Sequence, residues 1–432
     1  MTSKRSLMDE LTWRGLAYQY TEGLVKSLVG EADARGGASL TAYCGFDPTA
    51  PSLHVGNLVP VMGLVHLQRY GHRPVALVGG GTGMIGDPSG KSSERQLNSV
   101  ETVEENGRAI GDQLSRFLDF TGPRAALMRD NAEWLRNLGA IEFMREVGKH
   151  FTINYMTAKE SVKARLESGI SYTEFSYMLL QAYDYLELHL REGATLQIGG
   201  SDQWGNITAG IELIRRTRGA EVHALTLPLV TTATGTKFGK TEAGSVWLDA
   251  SLTSPYRFYQ FWINVDDRDV GRYLRYFTLM ERDEIEALEA ATTKRPDQRE
   301  AQRGLADEVT SRVHGPQAAR VAREVSGILF GTADLSALSP AGLEALSREV
   351  PFVEIPRPAG GSLDTVEVFV TGSLSASKAA ARRLLEQGGL YVNGRRLAGA
   401  DRSIATDNLL PGGYLLLRKG AREYCLMRIR EL

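Results

Sequence analysis

An apolar run over residues 40–46, a helical pattern over 58–70 and a second apolar run over 75–78 follow one another with little chain between them. Two short extended runs joined by a helix form a β-α-β unit, which demands parallel strands. Gly71 stands where the helix must end and Pro74 blocks its continuation, so backbone chemistry sets the boundaries. A parallel sheet needs helices over its faces, and the chain is therefore read as α/β. Further β-rich runs at 196–198 and 225–230 extend the sheet on this reading. The mostly helical stretch 97–190, aromatic-rich over 172–185, is an insertion that splits it.

The chain, with 432 residues, is too long for one small domain, and 42% hydrophobic with 24% charged residues excludes disordered and fibrous classes. Residues 1–250 are read as the first domain, with an inserted helical region at about 120–190. Helical, charge-interleaved residues 251–338 follow, and Pro340, Pro351, Pro356, Pro358, Gly360 and Gly361 mark 339–361 as a linker. Residues 362–432 read as a small α+β module with a helix over 375–387. Strands over 390–392 and 395–397 flank the Asn393-Gly394 turn, and a second pair covers 414–417 and 424–429. Residues 361–432 carry eleven Lys and Arg against seven Asp and Glu, in a chain whose net charge is −2. The tail is thus a candidate anion-binding module, with a chance excess on a solvated surface as the alternative. No apolar run approaches the roughly 20 residues of a membrane span, and residues 1–12 lack an apolar targeting core, so a cytoplasmic location is expected. Cys44 and Cys425 lie far apart and the histidines are scattered, so neither a disulfide framework nor a bound structural metal is expected.

The loop Leu53-His54-Val55-Gly56-Asn57 leads into a helix N-terminus, where amides and the helix dipole favour phosphate. His54 and Asn57 can donate to a phosphate or ribose oxygen and Gly56 admits a nucleotide, although the same residues also read as a capped loop. Far along the chain, Lys237-Phe238-Gly239-Lys240-Thr241 puts two ammonium groups beside glycines, suited to charge developing on pyrophosphate; a solvated turn is the alternative. Between them, the run from Gly81 through Gly83 to Gly86 satisfies the dinucleotide pattern and raises a nicotinamide-dependent dehydrogenase. Against it, Asp87-Pro88 puts a carboxylate where the pyrophosphate would sit. The Walker pattern fails at Ile85.

Several ordered motifs resemble the bacterial tyrosyl-tRNA synthetase family. They are Tyr43-Cys44-Gly45-Phe46-Asp47-Pro48-Thr49, the His54 loop, Gly86-Asp87-Pro88-Ser89-Gly90-Lys91, and Phe175 to Tyr177 with Gln181 to Asp184. Gly199 to Asn206 and the Lys237 loop complete the set, and residues 372–397 are similar to an S4-type RNA-binding motif. Two departures stand out. Asn57 replaces the second histidine of the usual His-x-Gly-His, and Phe238-Gly239 interrupts a second signature that keeps both lysines.

The resemblance implies a class I synthetase with a Rossmann-like parallel-sheet catalytic domain and an inserted helical region that forms a homodimer interface. A helical anticodon-binding domain and an S4-like RNA-binding domain would follow. By the same token it implies that Tyr43 and Asp184 bond a tyrosine phenol, Asp87, Tyr177 and Gln181 hold the amino group, and Gln203 lies near the carboxylate. Thr49, His54, Gly56, Asn57, Gly200 and Asp202 would serve ATP, with Lys91, Arg95, Lys237 and Lys240 on the pyrophosphate. His54, Asn57, Lys237, Lys240 and Thr49 are the implied catalytic set, and Arg382, Arg383, Arg395 and Arg396 the RNA contacts. Implied partners are L-tyrosine, ATP with Mg2+ carried on its phosphates, and tyrosine tRNA. A tryptophan synthetase and a non-catalytic RNA-binding protein are the other readings. Residue by residue, Tyr177 and Tyr183 in an aromatic stripe and Asp184 as a surface carboxylate are the bland alternatives.

Overall fold

The computed structural model describes residues 6–31, 40–89, 97–159, 162–163, 169–236, 238–241, 244–330, 335, 338–358 and 360–430. Contacts gather the chain into two units, Met1–Thr253 with Val265–Leu305, and Ser254–Asn264 with Ala306–Leu432. The helical region read as beginning at 251 is therefore shared between units. Helices Asp267–Phe277 and Arg282–Lys294 pack with the N-terminal unit.

The first unit is built on strands β1 (Gln19–Tyr20), β2 (Thr41–Phe46), β3 (Arg73–Val78), β4 (Leu127–Asp130), β5 (Ala194–Gly200) and β6 (His223–Leu227). Their order is β1-β6-β5-β2-β3-β4, parallel throughout except for the edge pairing of β1 with β6. Helix Leu58–Arg69 joins β2 to β3, and Gly71 leaves it at φ 89°, as the β-α-β reading expects. Pro74, taken as a helix stop, is itself a residue of β3 opposite Ala42.

The expected insertion at 120–190 is corrected by β4, which lies inside that range and extends the sheet beyond β3. Its four half-buried residues show no alternation, so nothing local announces a strand. From β2 the sheet grows outward through β3 and β4, then resumes on the other side of β2 with β5 and β6. The direction of growth thus reverses between β2 and β5, and the carboxyl ends of strands at such a switch point are where open parallel sheets bind ligands. Helices Tyr172–Glu192, capped by Ser171 and ended by Gly193 at φ 67°, and Trp204–Arg218 cover one face. Tyr43, Val75, Leu77, Tyr185 and Leu213 form the core beneath them.

In the second unit a five-stranded sheet runs Arg395–Arg396, Leu390–Val392, Tyr414–Lys419, Glu423–Arg430, Phe352–Pro356. Asn393 (φ 46°) and Gly394 (φ 77°) make the expected two-residue hairpin turn. The stretch 339–361, read as a linker from its prolines, instead holds helix Pro340–Glu349 and the edge strand Phe352–Pro356, which pairs in parallel with Glu423–Arg430. Pro340 stands in the first turn behind the Ser339 cap, where a missing N–H costs nothing, and Pro356 ends an edge strand. One face of the sheet packs Leu415, Leu417 and Cys425 on Phe369 and Leu385. The other packs Leu416 and Leu426 on Val325, Ile328, Leu343 and Leu346.

Candidate active site

The carboxyl ends of the strands bring several polar residues together. β2 ends in Phe46 and delivers Asp47, β3 delivers Gly79 and Gly80, β4 delivers Asp130 and Asn131, and β5 delivers Gly200. A Cβ on Gly79 would collide with Asp47 Oδ1, and one on Gly80 with Asp130 Oδ1. Glycine is needed there because two carboxylates crowd against the backbone.

Helix Tyr172–Glu192 presents Tyr177, Gln181 and Asp184 at spacings of four and three, hence along one face. Asp184 is buried, contrary to its bland reading as a surface carboxylate. Its oxygens accept from Asn131 Nδ2 and Trp134 Nε1, both at 2.8 Å. Burial pushes its pKa up to about 8 despite these two donors, and the Asp47 and Asp130 charges add to the rise. Tyr43 lies wholly buried, edge-on to Tyr185 at 5.2 Å, and burial and the charge of Asp184 raise its pKa. The Tyr43 hydroxyl has no hydrogen-bond partner among the described residues. A buried hydroxyl without a partner is unfavourable unless a ligand completes it.

Tyr177 donates to Asp47 Oδ2 at 2.7 Å, and Thr82 donates to the other Asp47 oxygen at 2.7 Å. Asn131 bonds Thr82 Oγ1 at 2.9 Å, so one chain of hydrogen bonds runs from Asp184 through Asn131 and Thr82 to Asp47 and Tyr177. A second joins Gln203 to Asp87 at 2.6 Å, with Asn206 donating to Gln181 at 3.1 Å and to Gln203 at 3.2 Å. Asp87 and Gln181, expected around an amino group, are thus brought together with Gln203, expected near the carboxylate, and Tyr177 is tied to Asp47 instead. Its hydroxyl oxygen still has lone pairs for an ammonium donor. Tyr185, not Tyr183, is the fully buried core tyrosine of this helix, and Tyr177 belongs to the polar network.

The dinucleotide pattern does not form a phosphate cradle. Asn131 Oδ1 accepts from Gly81 N at 2.7 Å, Asp130 from Gly80 N at 3.1 Å, and Thr82–Met84 is a single tight turn rather than the start of a helix. The amides a pyrophosphate would need are occupied by these side-chain oxygens.

Around His54 the structure shows a reciprocal cap: Gly56 N donates to His54 Nδ1 and His54 N to Asn57 Oδ1, each at 3.0 Å. An accepting Nδ1 puts the proton of the neutral ring on Nε2, and Asn57 keeps its amide N–H groups for donation. The capped-loop reading and the ligand-binding reading therefore coexist. The lysine loop is laced to the same segment, with Val55 N on Val246 O and Val246 N on Gly239 O, both 3.0 Å, and Leu248 N on Leu53 O at 2.8 Å. Lys240 is exposed at the start of a short hairpin, while Lys237, Lys91 and Arg95 lie outside the described residues. Thr49 is exposed after Asp47, and Gly200 lets Asp202 Oδ1 lie where a Cβ would be 2.5 Å away.

Among the basic residues of the tail, Arg382 and Arg383 are exposed on helix Lys378–Glu386. Arg395 faces Asp401 at 3.4 Å. Arg396 donates to Gly388 O at 2.6 Å and Gln387 O at 3.3 Å, so it closes the end of that helix. Asp47, Thr82, Asn131, Trp134 and Asn206 escaped the sequence reading as site members. The signal for Asn131 and Trp134 is their place just after a parallel strand, which the lack of alternation in β4 conceals.

The model of class I tRNA synthetases (W and Y) matches residues 35–331, and that of a tyrosine–tRNA ligase SYY-like C-terminal domain matches residues 342–427. A tyrosine–tRNA ligase of Anaeromyxobacter dehalogenans is 53% identical over 426 residues, covering 99% of this chain and all of the relative. That of Geobacillus stearothermophilus is 52% identical, covering 98% of this chain and 99% of the relative. Among solved structures, a C-terminally truncated mitochondrial tyrosyl-tRNA synthetase of Aspergillus nidulans superimposes with a TM-score of 0.68 at 28% identity, over 76% of this chain and 95% of that one.

Proposed function

The chain belongs to the class I tRNA synthetases of the tryptophan and tyrosine kind, and from that membership we propose that it is the tyrosine-activating member: it joins L-tyrosine to the terminal ribose of tyrosine tRNA. Tyrosine and ATP first give tyrosyl-adenylate and pyrophosphate, and the tRNA ribose then takes the tyrosyl group. The observation that carries tyrosine over tryptophan is the buried Tyr43 hydroxyl, without a partner among the described residues, and a buried Asp184 whose two oxygens are oriented by Asn131 and Trp134. A phenol O–H satisfies both as donor and acceptor, whereas an indole N–H can only donate.

The tyrosine carboxylate attacks the α-phosphate of ATP in line, without a covalent enzyme intermediate, so catalysis consists of positioning and charge stabilisation. Asp87, Tyr177 and Gln181 receive the ammonium group; the carboxylates Asp47 and Asp87 in this region support that assignment. Gln203 lies by the carboxylate. His54 Nε2–H and the Asn57 amide donate to the phosphates, with Thr49, Gly56, Gly200 and Asp202 on the nucleotide. Lys237 and Lys240, with Lys91 and Arg95, meet the charge of the departing pyrophosphate. Mg2+ travels on the ATP phosphates. Arg382 and Arg383 contact the tRNA backbone, with Arg395 and Arg396 beside them.

We assign the working form as a cytoplasmic homodimer. Exposed Ile141, Met144, Ile153 and Tyr172 all belong to the stretch of chain between β4 and β5, which supports a second copy covering it. No helix among the described residues is long and apolar enough to cross a membrane. Exchange of labelled pyrophosphate into ATP, with tyrosine, tryptophan and phenylalanine in parallel, tests the substrate. Exchange driven as well by tryptophan as by tyrosine would overturn it.

A further inference from the structure

The lysine loop is held from two sides within the first unit, and one side is a helix that carries none of the signature motifs. Helix Asp267–Phe277 places Asp269, 3% exposed, so that its Oδ2 accepts the Ala233 N–H at 2.7 Å while Oδ1 takes Arg272 at 2.5 Å. Arg272 donates also to Thr231 O at 2.7 Å, and the Tyr273 hydroxyl reaches the same carbonyl at 3.4 Å. Phe238, which stands in sequence between the two lysines and is 5% exposed, packs edge-on to Tyr273 at 4.9 Å and stacks on Phe277 at 5.2 Å.

The loop these contacts grip is closed on itself. Thr232 N bonds Thr236 O at 3.0 Å and Gly235 N bonds Thr232 O at 2.8 Å, with the Thr232 and Thr236 hydroxyls 2.6 Å apart. Fixing Ala233 and Thr231 therefore fixes the turn as a body, and the contacts of Phe238 with Tyr273 and Phe277 hold the chain that leads into Lys240. Simple packing of the helix does not account for Asp269, because burying a carboxylate is unfavourable unless its partners require the charge. Those partners are a loop amide and the arginine that grips the same loop.

We propose that Asp269, together with Arg272, is a positioning residue for adenylate formation, acting through Lys240 by orienting the loop that leads to it. The proposal rests on the tyrosine-activation reading. Its effect belongs to the transition state, since the ammonium groups are needed only as pyrophosphate charge develops.

The test is the single-turnover rate of tyrosyl-adenylate formation and the equilibrium binding of tyrosine, for wild type, Asp269→Ala and Asp269→Asn, alone and in a Lys240→Ala background. Asp269→Ala should slow activation roughly 10- to 100-fold, the scale of a misplaced catalytic group, with tyrosine binding within about twofold of wild type. Asp269→Asn keeps an acceptor oxygen for Ala233 and should recover part of the rate. In the Lys240→Ala background, Asp269→Ala should cost much less, because the group it positions is gone. Equal losses in both backgrounds, a parallel loss of tyrosine binding, or an unchanged rate would overturn the proposal. Should Asp269→Ala not fold, Arg272→Met carries the same expectations and the same refuting outcomes. A wild-type protein with no tyrosine-dependent activation would sink the functional reading, whereas an active wild type with an equally active Asp269→Ala sinks only this inference.

Discussion

Replacing Tyr43 with Phe should move stability and specificity in opposite directions. Tyr43 is fully buried, its ring held edge-on by Tyr185 at 5.2 Å, and its hydroxyl has no partner among the described residues. An unpaired buried polar group costs about 1–3 kcal/mol, and deleting one oxygen leaves little cavity to offset the gain. Tyr43→Phe should thus leave the free protein as stable as before, or more stable by up to about 2 kcal/mol. A buried tyrosine whose hydroxyl served the fold would instead lose about 1 kcal/mol. In the tyrosine complex the hydroxyl is paired, so its removal should cost about 0.5–1.5 kcal/mol of binding, a loss of roughly two- to tenfold in kcat/KM for tyrosine. Phenylalanine, which offers no partner to Tyr43, should be used as well or better, and the preference between the two should narrow accordingly. Urea denaturation at unchanged m gives the first quantity, and pyrophosphate exchange with both amino acids gives the second. A clear loss of stability with an unchanged specificity ratio would refute the reasoning and make Tyr43 a structural tyrosine.

Because burial raises Asp184 from 3.8 to about 8, the folded chain holds a proton between about pH 4 and 8 that the unfolded chain has lost, so stability should fall as pH rises through that window. Asp184→Asn should flatten this slope in denaturation curves, and a slope that persists would place its origin elsewhere. The wild-type affinity for tyrosine should tighten as pH approaches about 8 and the carboxylate forms, a trend absent in Asp184→Asn. Replacing Arg382 and Arg383 by Ala should lower the salt slope of tRNA binding by about 1 to 2, one unit or slightly less per phosphate contact; an unchanged slope would remove them from the interface. Arg396→Ala, which strips donors from Gly388 O and Gln387 O, should lower the denaturation midpoint as well, and an unaltered midpoint would deny it the capping role.

A cut just before residue 361 would not separate a module at a linker, since strand Phe352–Pro356 completes the second sheet and Leu343 and Leu346 pack under Leu416 and Leu426. Charge replacements on the surface are the cleaner probe of the tail.

What the amino-acid sequence determined by itself was local. Gly71 marks the end of the helix in the β-α-β unit because its backbone preference acts within a turn, and Asn393-Gly394 makes its hairpin because both residues accept positive φ. The His54 and Lys237 segments were legible for the same reason, as short runs whose residue types suit phosphate. Tertiary structure alone decided the rest. β4 exists because β3 supplies its hydrogen bonds, with no alternation of its own, and the short alternation of Phe352–Pro356 becomes a strand only against Glu423–Arg430. Trp134 and Asn131 become site residues only through Asp184, some fifty positions away, and Asp47 through Tyr177, 130 positions away. The protonation of Asp184 likewise depends on what encloses it, since a carboxylate's charge is stabilised or penalised by surroundings that folding assembles from distant parts of the chain.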